Sequence, residues 1–179
     1  MLSFSVDGYQ KALRFAAHAH GGQKVPGTDL PYLVHVCTVA SEVIGALSES
    51  HFDPDLAVQC ALLHDVVEDT TVGLDRVDAE FGAGVAAGVA ALTKSSSLPK
   101  DLQMADSLER ICRQPQAVWI VKLADRIANL QPPPSHWTPD RCRRYREEAE
   151  VILAALGSAS PILLARFQAR LRDYRRFEG

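Results

Sequence analysis

One run of the sequence limits the folds that this chain can adopt, because it places ionisable side chains directly after a core-type apolar segment. Leu56 to Leu63 is almost entirely apolar, and the sequence HDVVED follows at positions 64–69. Residues four apart lie on one face of a helix, so a helix over residues 55–69 would gather one imidazole and three carboxylates into one patch. Buried charges are costly unless they are paired or bound to a metal ion. The run therefore predicts a helical core with a polar site built into it.

The remaining sequence also predicts helices. The periodicity of apolar residues, with glycines and prolines between segments, indicates helices over residues 6–20, 31–47, 74–81, 84–93, 101–113 and 115–130. Two more, over 139–156 and 161–177, each begin with an N-cap residue followed by proline. Ser5 or Ser3 is expected to cap the first helix. No segment alternates as a strand would, so an all-α fold is predicted.

Length and composition indicate the class of protein. A chain of 179 residues with 47 % hydrophobic residues suits one domain with a single core, spanning residues 1–179. The net charge of −3 gives no electrostatic reason to expect a nucleic-acid or membrane-surface partner. Without a signal peptide or a run of about 18 apolar residues, we expect a cytoplasmic protein. Its oligomeric state is not indicated. Four cysteines without CxxC spacing are expected to be free thiols, namely Cys37, Cys60, Cys112 and Cys142.

Three separate segments supply the side chains of a candidate site. They are His35, the patch at residues 64–69, and Asp125, which shares a helix face with Lys122 and Asn129. Two imidazoles and two carboxylates from these segments would form a mixed nitrogen and oxygen donor set. Such a set suits Mn²⁺ or Fe²⁺ and, less decisively, Zn²⁺.

The alternative is a structural role for the histidine. A lone His-Asp pair on an apolar helix is more often a hydrogen-bonded core histidine followed by a surface acid. Glu68 and Asp69 weaken this alternative, because they lie near the predicted helix C-terminus, where the helix dipole disfavours negative charge. They also have no obvious basic partner nearby in the sequence. The patch is therefore interpreted as a functional site.

The longer motifs resemble a known family. The chain resembles the hydrolase domain of the RelA/SpoT family and, in size, the small alarmone hydrolases related to the metazoan SpoT homologue. These proteins are HD-domain phosphohydrolases with a single-domain helical bundle. The resemblance covers about residues 8–155, with the helix at 161–177 expected to pack on that domain. It is carried by AAHAHGGQ at 16–23, PYLVH at 31–35, ALLHDVVEDT at 61–70, LTK at 92–94, VKLADRIANL at 121–130, and Arg141 and Tyr145.

The resemblance implies a metal-dependent reaction. In this family the matching residues bind one Mn²⁺, which makes His35, His64, Asp65 and Asp125 the expected ligands. The matching acidic pair, Glu68 and Asp69, is expected to position and deprotonate the attacking water. The implied reaction removes pyrophosphate from the 3′ position of guanosine tetra- or pentaphosphate, leaving GDP or GTP.

The resemblance also implies substrate contacts. Lys24 and Lys122 are the expected phosphate contacts, while Asn129, Arg141 and Tyr145 are expected to hold the nucleoside. The loop at 23–27 reads QKVPG, where family members often carry an Arg-Lys pair after the glutamine. This difference leaves open an adenine alarmone, a different nucleotide or a phosphorylated dinucleotide cofactor as the substrate. A non-catalytic module that binds an alarmone is a further alternative, which the intact Glu68 and Asp69 disfavour.

Overall fold

The computed structural model describes residues 4–49 and 51–179, and these residues fold into helices joined by short connections. Ser3, the alternative cap of the first helix, lies outside the described residues. Within the described ranges there is no strand, only an isolated bridge between Lys24 and Pro31. The all-α prediction is confirmed. The α-helices are α1 Val6–Ala19, α2 Leu33–Ala46, α3 Pro54–Leu63, α4 Val66–Asp69, α5 Leu74–Phe81, α6 Ala83–Leu92, α7 Lys100–Cys112, α8 Gln116–Asn129, α9 Pro139–Leu156 and α10 Pro161–Tyr174.

Side-chain caps fix several helix starts. The Oγ of Ser5 accepts a hydrogen bond from the backbone N–H of Gly8 at 3.1 Å, which satisfies one of the free donors at the start of α1. Thr138 and Ser160 cap α9 and α10 in the same way, each directly before a proline. These two helices begin where the sequence predicts them. Among the described helices, none is both long and apolar enough to cross a membrane.

Helix α8 forms the centre of the fold. It packs against α2, α3, α9 and α10, and the side chains of Ile120, Leu123 and Ile127 are fully buried. Neighbours on several sides leave almost no solvent-facing surface, so even Lys122 and Asp125 are buried, at 6 % and 8 % exposure. Charged groups at such depth require partners. The position of α8 therefore dictates that its charged side chains belong to a connected site.

The segment at residues 55–69, which most constrains the fold, is not one continuous helix. We predicted a helix over residues 55–69, whereas α3 ends at Leu63 and α4 begins at Val66, with His64 and Asp65 in a turn between them. Asp65 has a ψ of −2°, which departs from helical geometry. In an unbroken helix, adjacent side chains diverge by about 100°. The break instead brings His64 Nε2 within 2.8 Å of Asp65 Oδ2.

Candidate metal centre

Four side chains from three places in the chain converge at one point. His35 lies near the start of α2, Asp125 in α8, and His64 and Asp65 at the break between α3 and α4. The Nε2 atoms of His35 and His64 lie 3.3 Å apart. Asp125 Oδ1 lies 3.5 Å from His35 Nε2 and 3.8 Å from His64 Nε2, and Asp65 Oδ2 lies 3.6 Å from His35 Nε2. The structure thus brings together all four side chains that the resemblance names as ligands.

The hydrogen bonding of His64 shows that this point suits a cation. Its Nδ1 lies 2.8 Å from the carbonyl oxygen of Ala61 and donates there, because a carbonyl oxygen only accepts. A neutral His64 ring then carries a lone pair on Nε2, directed at Asp65 Oδ2. That contact is repulsive unless a proton or a metal ion lies between the two atoms. Because orienting one ring nitrogen in this way is typical of metal-binding histidines, the donor set fits a divalent metal ion.

Charge pairing sets the acid–base properties of the cluster. Burial lowers the pKa of His35, but its hydrogen bonds to Asp125 and Asp65 outweigh burial and raise that pKa to about 9. Burial raises the pKa of Asp125, but the neighbouring Lys122 ammonium and His35 hold it well below its usual value. The pKa of Asp65 is also low, because His64 and His35 outweigh the effect of burial. Both carboxylates are therefore ionised at neutral pH, as ligands must be.

Asp125 is held by two further residues of its own helix. Lys122 Nζ donates to Asp125 Oδ2 at 3.0 Å, and Asn129 Nδ2 donates to Asp125 Oδ1 at 2.5 Å. This arrangement agrees with the predicted shared face of α8. The Lys122 ammonium, predicted to contact a phosphate, is thus already engaged by a candidate ligand.

The acidic pair lies in α4, immediately after the cluster. Glu68 Oε2 accepts a hydrogen bond from the backbone N–H of Lys94 at 2.8 Å, and its Oε1 lies 3.3 Å from Lys94 Nζ. The sequence offered no partner for Glu68 because Lys94 is 26 residues away. Asp69 is exposed as a residue, but desolvation of its carboxyl group, together with the Asp65 and Glu68 carboxylates, raises its pKa. Asp69 therefore holds a proton more readily than a free aspartate in water.

A cleft of about 540 Å³ opens beside the cluster and has His35 in its wall. Its surface is mainly apolar and aromatic, with amide and hydroxyl groups at intervals, as is typical of small-molecule sites. Among the described lining residues, none is a lysine, arginine, aspartate or glutamate. The residues that shape it include Val25, Pro26, Thr38, Asn129, Gln131, Pro132, Pro133, Pro134, Trp137 and Tyr145.

The predicted substrate residues divide into two groups around this cleft. Asn129 and Tyr145 line it. Lys24, Lys122 and Arg141 do not. Lys24 pairs with Asp29 at 3.0 Å with its side chain 60 % exposed, and the Arg141 guanidinium lies 4.2 Å from the ring centre of Trp137 at the cleft wall.

Several side chains at the site were not predicted from the sequence. Tyr32 and Lys94 lie within the motifs that carry the resemblance, but their polar contacts are long-range and no periodicity indicates them. Trp137 follows the three prolines, and its ring centre lies 5.2 Å from that of Tyr145. The buried Arg126 guanidinium covers the Tyr145 ring at 4.3 Å and binds Glu148. The sequence did contain a signal for the cleft wall: three consecutive prolines and then Trp137 follow the motif at 121–130.

Comparison with known proteins agrees with this geometry. The family model for the HD domain matches residues 12–163. The guanosine-3′,5′-bis(diphosphate) 3′-pyrophosphohydrolase MESH1 of Mus musculus is 33 % identical over 151 residues, covering 82 % of this chain and 83 % of the relative. The protein of the same name from Homo sapiens is 32 % identical over the same shares. The GTP pyrophosphokinase rsh of Brucella ovis is 35 % identical over 127 residues, but only 16 % of that longer protein is covered.

Solved structures show the same fold. A metazoan orthologue of SpoT, described as hydrolysing ppGpp and playing a role in starvation responses, superposes with a TM-score of 0.84 at 26 % identity. The match covers 96 % of this chain and 97 % of that one. The lmo0812 protein of Listeria monocytogenes superposes with a TM-score of 0.66 at 22 % identity, covering 83 % of this chain. The chain belongs to the HD-domain family, in the group that includes the MESH1 proteins.

Proposed function

We propose that this protein is a metal-dependent 3′-pyrophosphohydrolase of purine alarmones, which converts (p)ppGpp to GDP or GTP and pyrophosphate. The observation that carries the proposal is the convergence of His35, His64 and Asp125, with Asp65 against both histidines, beside a nucleoside-sized cleft. The names of the MESH1 relatives and the described activity of the SpoT orthologue support the same reaction.

His35, His64, Asp65 and Asp125 would hold one Mn²⁺. Their mixed imidazole and carboxylate donors suit this ion, with Fe²⁺ or Zn²⁺ as substitutes. When bound, a divalent ion lowers the pKa of water and neutralises charge on phosphoryl oxygens. The protein's own contribution is to fix the four donors on α2, α8 and the α3–α4 break before the substrate arrives.

Glu68 and Asp69 orient and deprotonate the attacking water. The oxygen of water adds to the phosphorus bonded to the 3′ oxygen, and the bond between these two substrate atoms breaks. Asp69, with its raised pKa, accepts the proton from water, while Glu68 orients the water. Asp69 passes this proton to the 3′ oxygen as it leaves, so the products are a free 3′ hydroxyl and pyrophosphate. A positioned general base suits this step, since phosphoryl transfer depends mainly on alignment and charge neutralisation.

The distribution of charge orients the substrate. The cleft wall of prolines, Trp137 and Tyr145 is uncharged and takes the nucleoside, with Asn129 as a hydrogen-bonding group. The ammonium groups of Lys94 and Lys122 lie beside the acidic pair and Asp125, so the 3′ phosphates face that side. Lys24 and Arg141 remain predicted contacts from the rim, Lys24 after release from Asp29.

An adenine alarmone, (p)ppApp, is the second candidate substrate. A carboxylate that accepts hydrogen bonds selects guanine, because guanine presents N–H donors where adenine presents an acceptor. No acidic side chain lines the cleft in the described residues, whereas the amide groups of Asn129 and Gln131 both donate and accept. Amide groups can therefore pair with either base.

The test is incubation of the Mn²⁺-loaded protein with ppGpp, ppApp and NADPH, followed by ion-exchange separation of products. We expect pyrophosphate from ppGpp, and a smaller or comparable amount from ppApp. An Asp65→Ala variant is the control, because it removes a proposed ligand. Absence of pyrophosphate from both alarmones would refute the proposed function, and phosphate release from NADPH alone would favour the dinucleotide alternative.

We also infer that residues 1–179 act as one domain. Helix α10 packs on α8, α9 and α2, so the segment after the matched motifs covers the helix that bears Asp125.

A further inference from the structure

Tyr32 makes a contact with the candidate centre that the sequence did not assign. It lies three residues before His35, and its hydroxyl donates a hydrogen bond to Asp65 Oδ2 at 2.5 Å. The same oxygen lies 2.8 Å from His64 Nε2 and 3.6 Å from His35 Nε2. Tyr32 therefore holds the carboxylate oxygen that faces the other donors, which is the oxygen whose position decides whether Asp65 can bind a metal ion.

The Tyr32 ring is itself fixed on two sides. Its centre lies 4.8 Å from that of His20 and 5.3 Å from that of His35. His20 is 4 % exposed, although it was assigned no role from the sequence. A ring held between two neighbours loses its rotamer freedom on folding, so the hydroxyl is positioned in advance of any ligand.

A second chain of hydrogen bonds links the same residues to Asp69. Gln23 Nε2 donates to the backbone carbonyl oxygen of Asp69 at 2.6 Å. The other amide atom of Gln23, Oε1, lies 2.7 Å from His20 Nδ1. Because an amide oxygen only accepts, His20 Nδ1 carries a proton and donates it there. Tyr32 thus holds the carboxylate of Asp65, and the His20–Gln23 pair holds the backbone of Asp69.

We propose that Tyr32 is a positioning residue of the metal centre, which orients Asp65 as a ligand and, with the His20–Gln23 pair, fixes Asp65 relative to Asp69. The inference rests on the proposed metal site and function. Residues that hydrogen-bond a metal ligand orient it and raise metal affinity. Asp65 needs such support, because it lies in the turn between α3 and α4 and belongs to neither helix.

The hydroxyl of Tyr32 remains a donor under working conditions. Burial, and then the charge of Asp65, raises the pKa of Tyr32 far above its usual value. It therefore stays protonated and keeps donating its hydrogen bond to Asp65 Oδ2.

The first test measures metal binding without substrate. Tyr32→Phe removes one oxygen atom and keeps the ring between His20 and His35. Tyr9→Phe is the matched control, because Tyr9 lies in α1, where it packs against Phe4. We expect Tyr32→Phe to weaken Mn²⁺ binding by about 10- to 100-fold in isothermal titration calorimetry, and Tyr9→Phe to bind as the wild type does. Unchanged Mn²⁺ affinity in Tyr32→Phe would overturn the proposal, even if its metal-free melting temperature fell.

The second test measures turnover at saturating Mn²⁺. We expect Tyr32→Phe to lower kcat, and the double variant Tyr32→Phe/Asp69→Asn to lose less than the product of the two single effects, since residues in one network are not additive. Strictly multiplicative losses would refute the link to Asp69. The two tests separate the proposals: if no alarmone is hydrolysed while Tyr32→Phe still weakens Mn²⁺ binding, the proposed function fails and the positioning role of Tyr32 stands.

Discussion

At the scale of single residues, the chemistry of this site depends on which nitrogen and oxygen atoms face the centre of the cluster. His64 donates through Nδ1 to Ala61 and presents Nε2 to the cluster, while Asp125 accepts from Lys122 and Asn129 and still presents Oδ1 to both histidines. These contacts leave one donor atom of each side chain directed at a common point. Two imidazole nitrogens and two carboxylate oxygens that converge at one buried point form a mixed donor set, which favours metal binding.

The first prediction concerns Asp125. Asp125→Asn keeps the shape of the side chain but removes the charge, and an amide is a poor ligand for a transition-metal ion. We expect purified Asp125→Asn to retain no Mn²⁺ after desalting, as measured by mass spectrometry of metals. Asp101→Asn, an exposed change in the first turn of α7, serves as the control and should retain the metal. Wild-type metal content in Asp125→Asn would exclude Asp125 as a ligand.

The second prediction separates the acidic pair from the ligands. Glu68→Gln should bind Mn²⁺ as the wild type does, because Glu68 points to Lys94 rather than to the histidines. Its kcat for ppGpp should fall by about 10²- to 10⁴-fold, which is the range for loss of a group that manages proton transfer. Glu147→Gln, on the exposed surface of α9, should keep full activity. Normal turnover by Glu68→Gln would contradict the role proposed for Glu68.

At the scale of helices, the sequence predicts starts and stops better than breaks. Helices α9 and α10 begin where predicted because a capping hydroxyl followed by proline is a local signal. The break at His64 and Asp65 has no proline or glycine, and both residues keep right-handed helical φ and ψ signs. Its cause is tertiary, since Tyr32, just before α2, contacts Asp65 and Asp125 of α8 contacts His64. For the same reason Lys94 was not identified as the partner of Glu68.

The third prediction concerns the contact between α6 and its neighbours. A methyl group on Gly88 would lie 2.6 Å from Cys60 Sγ and 3.0 Å from Val118 Cγ2, so these buried side chains of α3 and α8 would have to shift. We expect Gly88→Ala to reduce the free energy of unfolding by about 1–3 kcal/mol in urea denaturation. Gly84→Ala in the same helix meets no atom within 4 Å and should instead stabilise by about 0.4–1 kcal/mol. Equal effects of the two variants would contradict the close packing at Gly88.

The candidate centre connects distant parts of the whole molecule. Its donors come from α2, from the α3–α4 break and from α8, and α8 is the helix around which the core is assembled. Sequence and resemblance predicted four candidate ligands that do lie close together, but they did not predict the contacts of Tyr32 and Lys94, which depend on how the helices pack. A metal ion bound there would join elements that are far apart in the chain, so it would stabilise the whole fold and not only the site.

The fourth prediction follows from this connection. An ion that binds only the folded state, at a concentration about 100 times its Kd, adds about 2.7 kcal/mol to the free energy of unfolding. For a chain of this size each kcal/mol raises Tm by about 2–4 °C, so Mn²⁺ should raise Tm by about 5–10 °C over protein treated with a chelator. Asp125→Asn should show no such rise, because its metal-free form lacks a donor and Mn²⁺ has nowhere to bind. Identical melting of the Mn²⁺-loaded and chelator-treated wild type would mean that the cluster binds no ion in the folded protein. A rise retained in Asp125→Asn would place the ion elsewhere, and a rise confined to the wild type would tie whole-molecule stability to the four donors.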